Sequence, residues 1–269
     1  MFFPSVLMII ILTVAHIISR EVPKDLEHIK VLRENGPLTE ESLGIPFDTI
    51  GTLEIRLSKI EKLSRETLGQ FKNLENLTIS FSKIEKVDKD VFSNCCPKLK
   101  HLEINHWPDF NYEDLKGIAT LPLESLEIID SDIPKLKSGV FEGAKLKSLV
   151  LTKNKLNEIE PDAFKGLGEL EYLLISNNKI KEIPKQSLAP LRSLETLELV
   201  SNGIEKFSTD SLPELPNLTD IVFIRENLKE INFEGVHKVA PKLNDVFVIG
   251  KNMVHIPKVS GPLRIHKWL

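Results

Sequence analysis

Three successive stretches of the chain are copies of one motif: LKSLVLTKNKLNEIEPDAF (146–164), LEYLLISNNKIKEIPKQSL (170–188) and LETLELVSNGIEKFSTDSL (194–212). Their first residues are 24 apart, because 170 − 146 = 24 and 194 − 170 = 24. The shared pattern is L-x-x-L-x-L-x-x-N-x-[IL]-x-x-[IF]. A unit of this length cannot bury its own apolar side, so it must stack on copies of itself. The pattern therefore predicts a solenoid in which each repeat contacts only its neighbours.

The same register continues towards both ends of the chain. Successive first positions are apolar and lie 23 to 25 residues apart. This regularity predicts one elongated domain of about nine to ten repeats. The first positions are Leu26, Ile50, Leu74, Leu99, Leu123, Leu146, Leu170, Leu194, Leu218 and Leu243.

The motif and its length resemble the leucine-rich repeat, whose units are about 20–29 residues long. The resemblance covers residues 26–269 and is to the typical 24-residue class, as in Toll-like receptor ectodomains and related small secreted proteins. It implies an α/β solenoid shaped as a curved horseshoe, with a parallel sheet on the concave side. The chain departs from many extracellular members in lacking cysteine-rich end caps, because Cys95 and Cys96 are its only cysteines. Stacking, and not disulfides, must then supply the stability.

The N-terminus has a different composition from the repeats. No Asp, Glu, Lys or Arg precedes Arg20, and this apolar run resembles a secretory signal peptide. An uncleaved membrane anchor is the alternative, because no basic residue precedes the run. After cleavage we expect no stable membrane span. The predicted divisions are a signal peptide at 1–19, an N-terminal cap with a degenerate repeat at 20–49, repeats at 50–242, and the last repeat with a C-terminal capping strand at 243–269.

The two cysteines and the last aromatic residue carry structural expectations. Cys95 is expected to be a small buried residue, and a bridge to another molecule through Cys96 is the other interpretation. Trp268 is expected to cover the open core at the C-terminal end.

Composition and motifs narrow the function classes. The formal net charge is −4, so no basic excess indicates a nucleic-acid partner. The chain has no sequence motif of a catalytic or phosphate-binding site, and we expect neither enzyme activity nor a cofactor. His101, Glu103 and Glu127 come nearest to a metal site, but an ordinary polar surface is the simpler interpretation, so we expect no metal.

Each L-x-x-L-x-L stretch predicts a short strand whose side chains alternate between two faces. In the repeat from Leu146, Leu149 and Leu151 point into the core and Val150 points outward. Position nine of each repeat is predicted to be buried, where its side chain satisfies backbone groups of the turn. That position holds Asn154, Asn178 and Asn202, and Ser58, Ser82 and Ser131 in earlier repeats.

Apolar residues fill outward positions in the C-terminal half of the repeats. Because neighbouring strands lie about 4.8 Å apart, such residues form a continuous patch. We call it the C-terminal patch and predict that it contacts a partner; the alternative is that the chain itself covers it. Its members are Val150, Leu174, Val200, Val222, Ile224, Phe247 and Ile249.

Trp107 interrupts the turn chemistry of the repeats. It stands where the motif places Asn, within NHWPDFNYEDL (105–115). A solenoid that breaks its own turn pattern often carries a functional loop, so Trp107 is a second candidate contact residue. The equal alternative is that Trp107 fills the core in place of an Asn.

Two tripeptides match the glycan acceptor pattern, Asn76-Leu77-Thr78 and Asn217-Leu218-Thr219. Asn76 is predicted to lie on the concave face. A glycan there would block the N-terminal part of that face and leave the C-terminal patch free.

The resemblance implies a secreted, non-catalytic protein that binds an extracellular protein ligand or receptor through its concave face, in immune or developmental recognition. The chain lacks the membrane and cytoplasmic segments of the receptors, which favours a soluble binder, decoy or co-factor. The alternatives are a structural or matrix-associated protein that self-assembles, for example as a homodimer, and an inhibitor that wraps its target.

Overall fold

The computed structural model describes residues 27–32, 35–107, 110, 112–250 and 262–268. Its main element is a sheet of eleven strands that follow one another in chain order, and every neighbouring pair is parallel. The strands are β1 (Glu27–Leu32), β2 (Ile50–Arg56), β3 (Asn76–Ser80), β4 (His101–Asn105), β5 (Ser125–Ile129), β6 (Ser148–Thr152), β7 (Tyr172–Ser176), β8 (Thr196–Val200), β9 (Asp220–Ile224), β10 (Asp245–Ile249) and β11 (Arg264–Trp268).

The chain returns between these strands through short elements that pair only with their counterparts in neighbouring repeats. The small strands form three sheets: Asn35–Gly36 with Lys59–Leu63 and Lys83–Val87, Lys135–Leu136 with Glu158–Ile159, and Lys206–Ser208 with Glu230–Asn232. The helices are α1 (Glu40–Leu43), α2 (Arg65–Leu68) and α3 (Lys185–Leu188), with 3-10 turns at Phe47–Thr49, Tyr112–Thr120, Thr209–Ser211 and Val236–Lys238.

The core is built from the inward side chains of the sheet strands. Leu149, Leu173 and Leu197 occupy the same position of β6, β7 and β8, and all three are fully buried. Each apolar position therefore continues from one repeat to the next, as nearest-neighbour stacking requires. The predicted leucine-rich repeat solenoid, with its parallel concave sheet, is confirmed.

The predicted asparagine ladder is present. Asn178 Oδ1 accepts hydrogen bonds from the backbone N–H groups of Asn154 (2.9 Å) and Leu156 (3.2 Å). Its Nδ2 donates to the carbonyl oxygens of Leu151 and Ser176, both at 2.9 Å. The side chain therefore joins two repeats by their backbones while remaining buried.

Replacing Asn178 by Ala is expected to lower the free energy of unfolding by about 1–3 kcal/mol, because buried backbone groups lose their partners. Urea denaturation followed by circular dichroism measures the loss. The control is Lys179→Ala, one residue away at an exposed position. Equal stability of the two variants would contradict the role of the ladder.

Each of β2 to β9 is followed by a residue with left-handed backbone, at position eight of its repeat. The φ angles lie between 48° and 56°. The N–H of each such residue donates to the last carbonyl of the next sheet strand, as from Leu57 to Ser80 (3.1 Å) and from Arg225 to Ile249 (2.7 Å). These residues are Leu57, Phe81, His106, Asp130, Lys153, Asn177, Ser201 and Arg225.

The C-terminal end differs from its expectation in one respect. A last strand, β11, pairs with β10 as predicted. Trp268, however, is 39% exposed and lies opposite Ile249 on the outward face. The expectation that Trp268 covers the core is wrong, because strand alternation gives the inward position to Ile265, which is packed against the core.

Both cysteines are free and buried. Cys95 is 3% exposed, which confirms its small core role, and Cys96 is completely buried. A bridge to another molecule through Cys96 is wrong for this fold, because its thiol lies 3.4 Å from the carbonyl oxygen of Leu68 inside the core.

The predicted signal peptide, residues 1–19, lies outside the described residues. In the part of the chain that the structure does describe, no helix has the length and apolar character needed to cross a bilayer.

Candidate binding surface on the concave sheet

The C-terminal patch lies on the outward face of β6 to β10, where alternation predicted it. Val150 and Val222 are largely buried, with 9% and 7% of their surface exposed. The remaining members are half-buried and offer most of the contact surface: Leu174, Val200, Ile224, Phe247 and Ile249.

The strand register brings these side chains together. Val200 lies opposite Ile224, which lies opposite Ile249. Val222 lies opposite Phe247 in the adjacent row. Directly opposed residues of neighbouring strands contact each other, so the patch is continuous across β8, β9 and β10.

Three stacked rings extend the patch onto β11. The ring centroid of Phe247 is 4.8 Å from that of His266 and 5.8 Å from that of Trp268, and the planes differ by 13° and 9°. We call Phe247, His266 and Trp268 the ring cluster. The repeat pattern does not place His266 and Trp268 beside Phe247, because the final strand pair is spaced by 264 − 245 = 19 residues instead of 24.

Asp245 holds the ring cluster in place. Its carboxylate accepts hydrogen bonds from Arg264 Nε (2.8 Å) and is 2.7 Å from His266 Nε2. The hydrogen bond from Arg264 is the main cause that lowers the pKa of Asp245, and the one from His266 adds to it. The imidazole is therefore fixed against Phe247 by an ionised carboxylate.

The centre of the concave face is acidic and partly buried. Glu198 is 3% exposed, and its burial raises its pKa to about 7. A hydrogen bond from Tyr172 acts to lower this pKa, and the nearby charge of Asp220 adds to the rise. Burial and Glu103 likewise raise the pKa of Glu127 to about 7. Tyr172, 6% exposed, has a raised pKa because of its burial and the charge of Glu198.

Glu54 occupies the equivalent outward position of β2 but is compensated by cations. It lies 3.1 Å from Lys30 Nζ, 2.9 Å from His28 Nε2 and 3.8 Å from Arg56. Burial acts to raise the pKa of Glu54, but the hydrogen bonds from Lys30 and His28 lower it overall.

Trp107 does not contribute to this surface. Its side chain is 1% exposed and packs against Phe110, with ring centroids 5.2 Å apart. The core-filling interpretation of Trp107 is therefore correct, and its role as a contact residue is wrong. The ring of Trp107 fills by its volume the buried turn position that Asn178 occupies with backbone hydrogen bonds in a later repeat.

The two glycan acceptors have different surroundings. Asn76 is half-buried on β3 of the concave sheet, and its Nδ2 donates to Thr52 Oγ1 (3.1 Å). Asn217 precedes β9 and its Oδ1 accepts from Lys242 Nζ (2.8 Å). Glycosylation of either stays a prediction.

His101, Glu103 and Glu127 lie on β4 and β5 of the concave sheet, all three at half-buried positions. Within the described ranges, no group of three or more His, Cys, Asp or Glu is arranged to hold a metal ion.

Two exposed apolar side chains were not singled out from the sequence. Leu57 and Phe81 are 54% and 49% exposed at left-handed positions after β2 and β3. The ring of Phe81 stacks on His106 with centroids 5.1 Å apart. Position eight of the repeat is the only sequence signal for these two residues, and it holds different side-chain types from one repeat to the next.

Comparison with known families agrees with this architecture. A family model described as "Leucine rich repeat" matches residues 122–180 and 144–204. A second model, "BspA type Leucine rich repeat region (6 copies)", matches residues 47–112. The chain is a leucine-rich repeat protein. Together, the two models match more than half of this chain.

This leucine-rich repeat protein is similar to Toll-like receptors. It is 30% identical over 132 residues to Toll-like receptor 3 of Boselaphus tragocamelus, and 29% identical over 132 residues to that of Bos taurus. Each match covers 44% of this chain and 15% of the relative. The chain thus matches only a small part of the length of these receptors.

Solved structures share the solenoid fold. The TLR13–ssRNA13 complex matches with a TM-score of 0.57 and 19% identity, covering 89% of this chain and 41% of that one. The Toll–Spatzle complex of Drosophila matches with a TM-score of 0.51 and 16% identity, covering 88% and 39%. The expected absence of a nucleic-acid partner gains no support here, because one neighbour is in complex with RNA.

Proposed function

We propose that this protein binds another extracellular protein through the C-terminal patch and the ring cluster on its concave sheet. Receptor-like ligand recognition is supported by the Toll-like receptor relatives and by a structural neighbour solved with Spatzle. The observation that carries the proposal is the continuous row of half-buried apolar residues, Val200, Ile224 and Ile249, beside the stacked rings.

The physical basis is the burial of apolar surface. Covering a large side chain such as Phe247 contributes roughly 1.5–3 kcal/mol. Aromatic residues that are surrounded by neighbours excluding water are typical binding hot spots. Proteins of this family are generally non-enzymatic, which agrees with a recognition role. A nucleic-acid ligand is less favoured, because Glu127 and Glu198 repel phosphate when they are ionised, above their pKa of about 7, and the chain has a net charge of −4.

Replacing both Ile224 and Phe247 by Asp is expected to leave the fold intact and to abolish partner binding, because both side chains are half-buried on the outward face. The test is affinity capture from extracellular fluid, scored as a stoichiometric partner identified by mass spectrometry. The matched control is Asn105→Asp, at a half-buried position on the outward face of β4.

Sedimentation of the purified protein separates the alternatives. A concentration-dependent homodimer that the double variant abolishes would favour self-assembly through the same face. Variants that unfold would mean that the patch is internal. Variants that fold and still capture the partner would show that the binding site lies on another face.

We also propose that the protein is secreted after cleavage of residues 1–19. Relatives of the Toll-like receptor type support a location outside the cell or at a membrane. N-terminal sequencing of protein from culture medium is expected to give a mature chain beginning near Arg20. Protein that remains in the membrane pellet with Met1 retained would indicate an uncleaved anchor.

A further inference from the structure

Tyr172 and Glu198 are neighbours on the outward face of β7 and β8. Tyr172 lies opposite Thr196, and Glu198 lies opposite Leu174, so the two are diagonal partners across one strand pair. Diagonal residues are about 7–8 Å apart at the backbone, within the reach of long side chains. Each group also shifts the pKa of the other, which places the hydroxyl close to the carboxyl.

Both side chains keep acceptor positions that the chain does not fill. Among the described residues, Tyr172 Oη and Glu198 Oε2 have no hydrogen-bond partner beyond each other. Tyr172 and Glu198 are 6% and 3% exposed. The hydroxyl has a single hydrogen to donate to the carboxyl, and buried polar atoms nearly always have partners, so the remaining acceptor positions need an explanation. Both residues lie at outward positions of their strands.

Among the described residues, the charged groups that act on this pair are acidic. The ionisable groups that raise the pKa of Tyr172 or Glu198 electrostatically are Glu127 and Asp220, besides the pair itself. Glu103 adds to the acidity beyond Glu127. Glu54, at the equivalent outward position of β2, shows the contrast, because cations of the chain itself surround it.

We propose that Tyr172 and Glu198 form a binding site for a cationic side chain, lysine or arginine, of the partner protein. This rests on the proposed function, since the cation would arrive on a protein bound to the concave face. Its N–H groups would donate to Glu198 Oε2 and Tyr172 Oη, and hydrogen bonds to an ionised acceptor are the stronger kind. Leu174 and Val222, which flank Glu198 on the outward face, suit the methylene stem of the cation.

The test needs no identified partner. N-acetyl-lysine methylamide is titrated into the full chain, and methyl NMR signals of Leu174 and Val222 are followed. The matched ligand is N-acetyl-norleucine methylamide, which has the same apolar stem without the charge. We expect saturable shifts with the lysine derivative only. At pH 8 the Glu198 carboxylate is ionised, and at pH 5.5 its protonation should weaken binding about thirtyfold, because its pKa is about 7.

Two variants assign the site. Glu198→Gln should weaken binding of the lysine derivative at least tenfold, and Tyr172→Phe should weaken it about threefold. Glu230→Gln, an exposed position away from the concave sheet, should have no effect. Identical responses to both ligands, or unchanged binding by Glu198→Gln, would overturn the site. Those results would leave the patch intact as a contact surface, because its own test uses Ile224 and Phe247.

Discussion

Replacing Glu226 by Gln is expected to lower the free energy of unfolding by about 3 kcal/mol, one of the largest losses for a single isosteric change in this chain. Glu226 stands at position nine, where it continues the asparagine ladder. Its carboxylate accepts from the N–H and Nδ2 of Asn202 (2.9 and 2.8 Å) and from the N–H groups of Gly203 (2.6 Å) and Ile204 (2.8 Å). An amide nitrogen in place of either oxygen would point a donor at two donors.

Urea denaturation of Glu226→Gln measures this loss, with Glu230→Gln as the control. Glu230 is exposed, 3.6 Å from Lys206, and ion pairs of this kind contribute little. A variant as stable as the wild-type chain would mean that the carboxylate is not needed as an acceptor of all four hydrogen bonds. Loss of stability in both variants to the same degree would point to net charge instead.

The second large effect is a fall in stability with rising pH. The pKa of Glu198 is about 7 in the folded chain against 4.5 for the free side chain. Between these values the folded state holds a proton that the unfolded state has lost, so the stabilisation contributed by Glu198 is complete below about pH 4.5 and is lost as the pH rises through 7. A shift of this size corresponds to roughly 3 kcal/mol, and Glu127 acts in the same direction.

Glu198→Gln tests this account by removing the ionisation and keeping the shape. We expect the variant to be more stable than the wild-type chain at pH 8 and similar to it at pH 5. Glu169→Gln, at an exposed position, is the control. Chemical denaturation at a series of pH values gives both curves, and parallel curves for wild type and Glu198→Gln would refute the burial of an uncompensated carboxylate.

The fold could be predicted because the buried positions recur at the same period as the sequence motif. Leu149 and Asn178 belong to patterns that recur every 24 residues, and each recurrence confirms the previous one. Their roles as core residue and ladder member are therefore visible in the sequence alone. The outward location of Val200 and Phe247 follows from the same register, since strand alternation leaves no other face for them.

What escaped prediction depends on contacts without a repeating signal. Trp107 and Glu226 both replace Asn at position nine, one by filling volume and the other by accepting hydrogen bonds, and a single sequence does not distinguish these solutions. The outward position of Trp268 depends on a final repeat that is shorter than the others, which the 24-residue pattern does not reveal. Glu198 was visible as an outward acid, but its lack of a cation depends on which side chains face it across two strands.

The left-handed residues at position eight make the joint between neighbouring repeats nearly the same wherever it occurs. The same backbone hydrogen bond follows Leu57, Asn177 and Arg225, although their side chains have nothing in common. The length of the solenoid can therefore change by complete repeats without changing the joint between them. Removing or duplicating one complete unit, such as residues 170–193, joins ends that form the same backbone hydrogen bonds. The protein can therefore be shortened or lengthened by whole repeats.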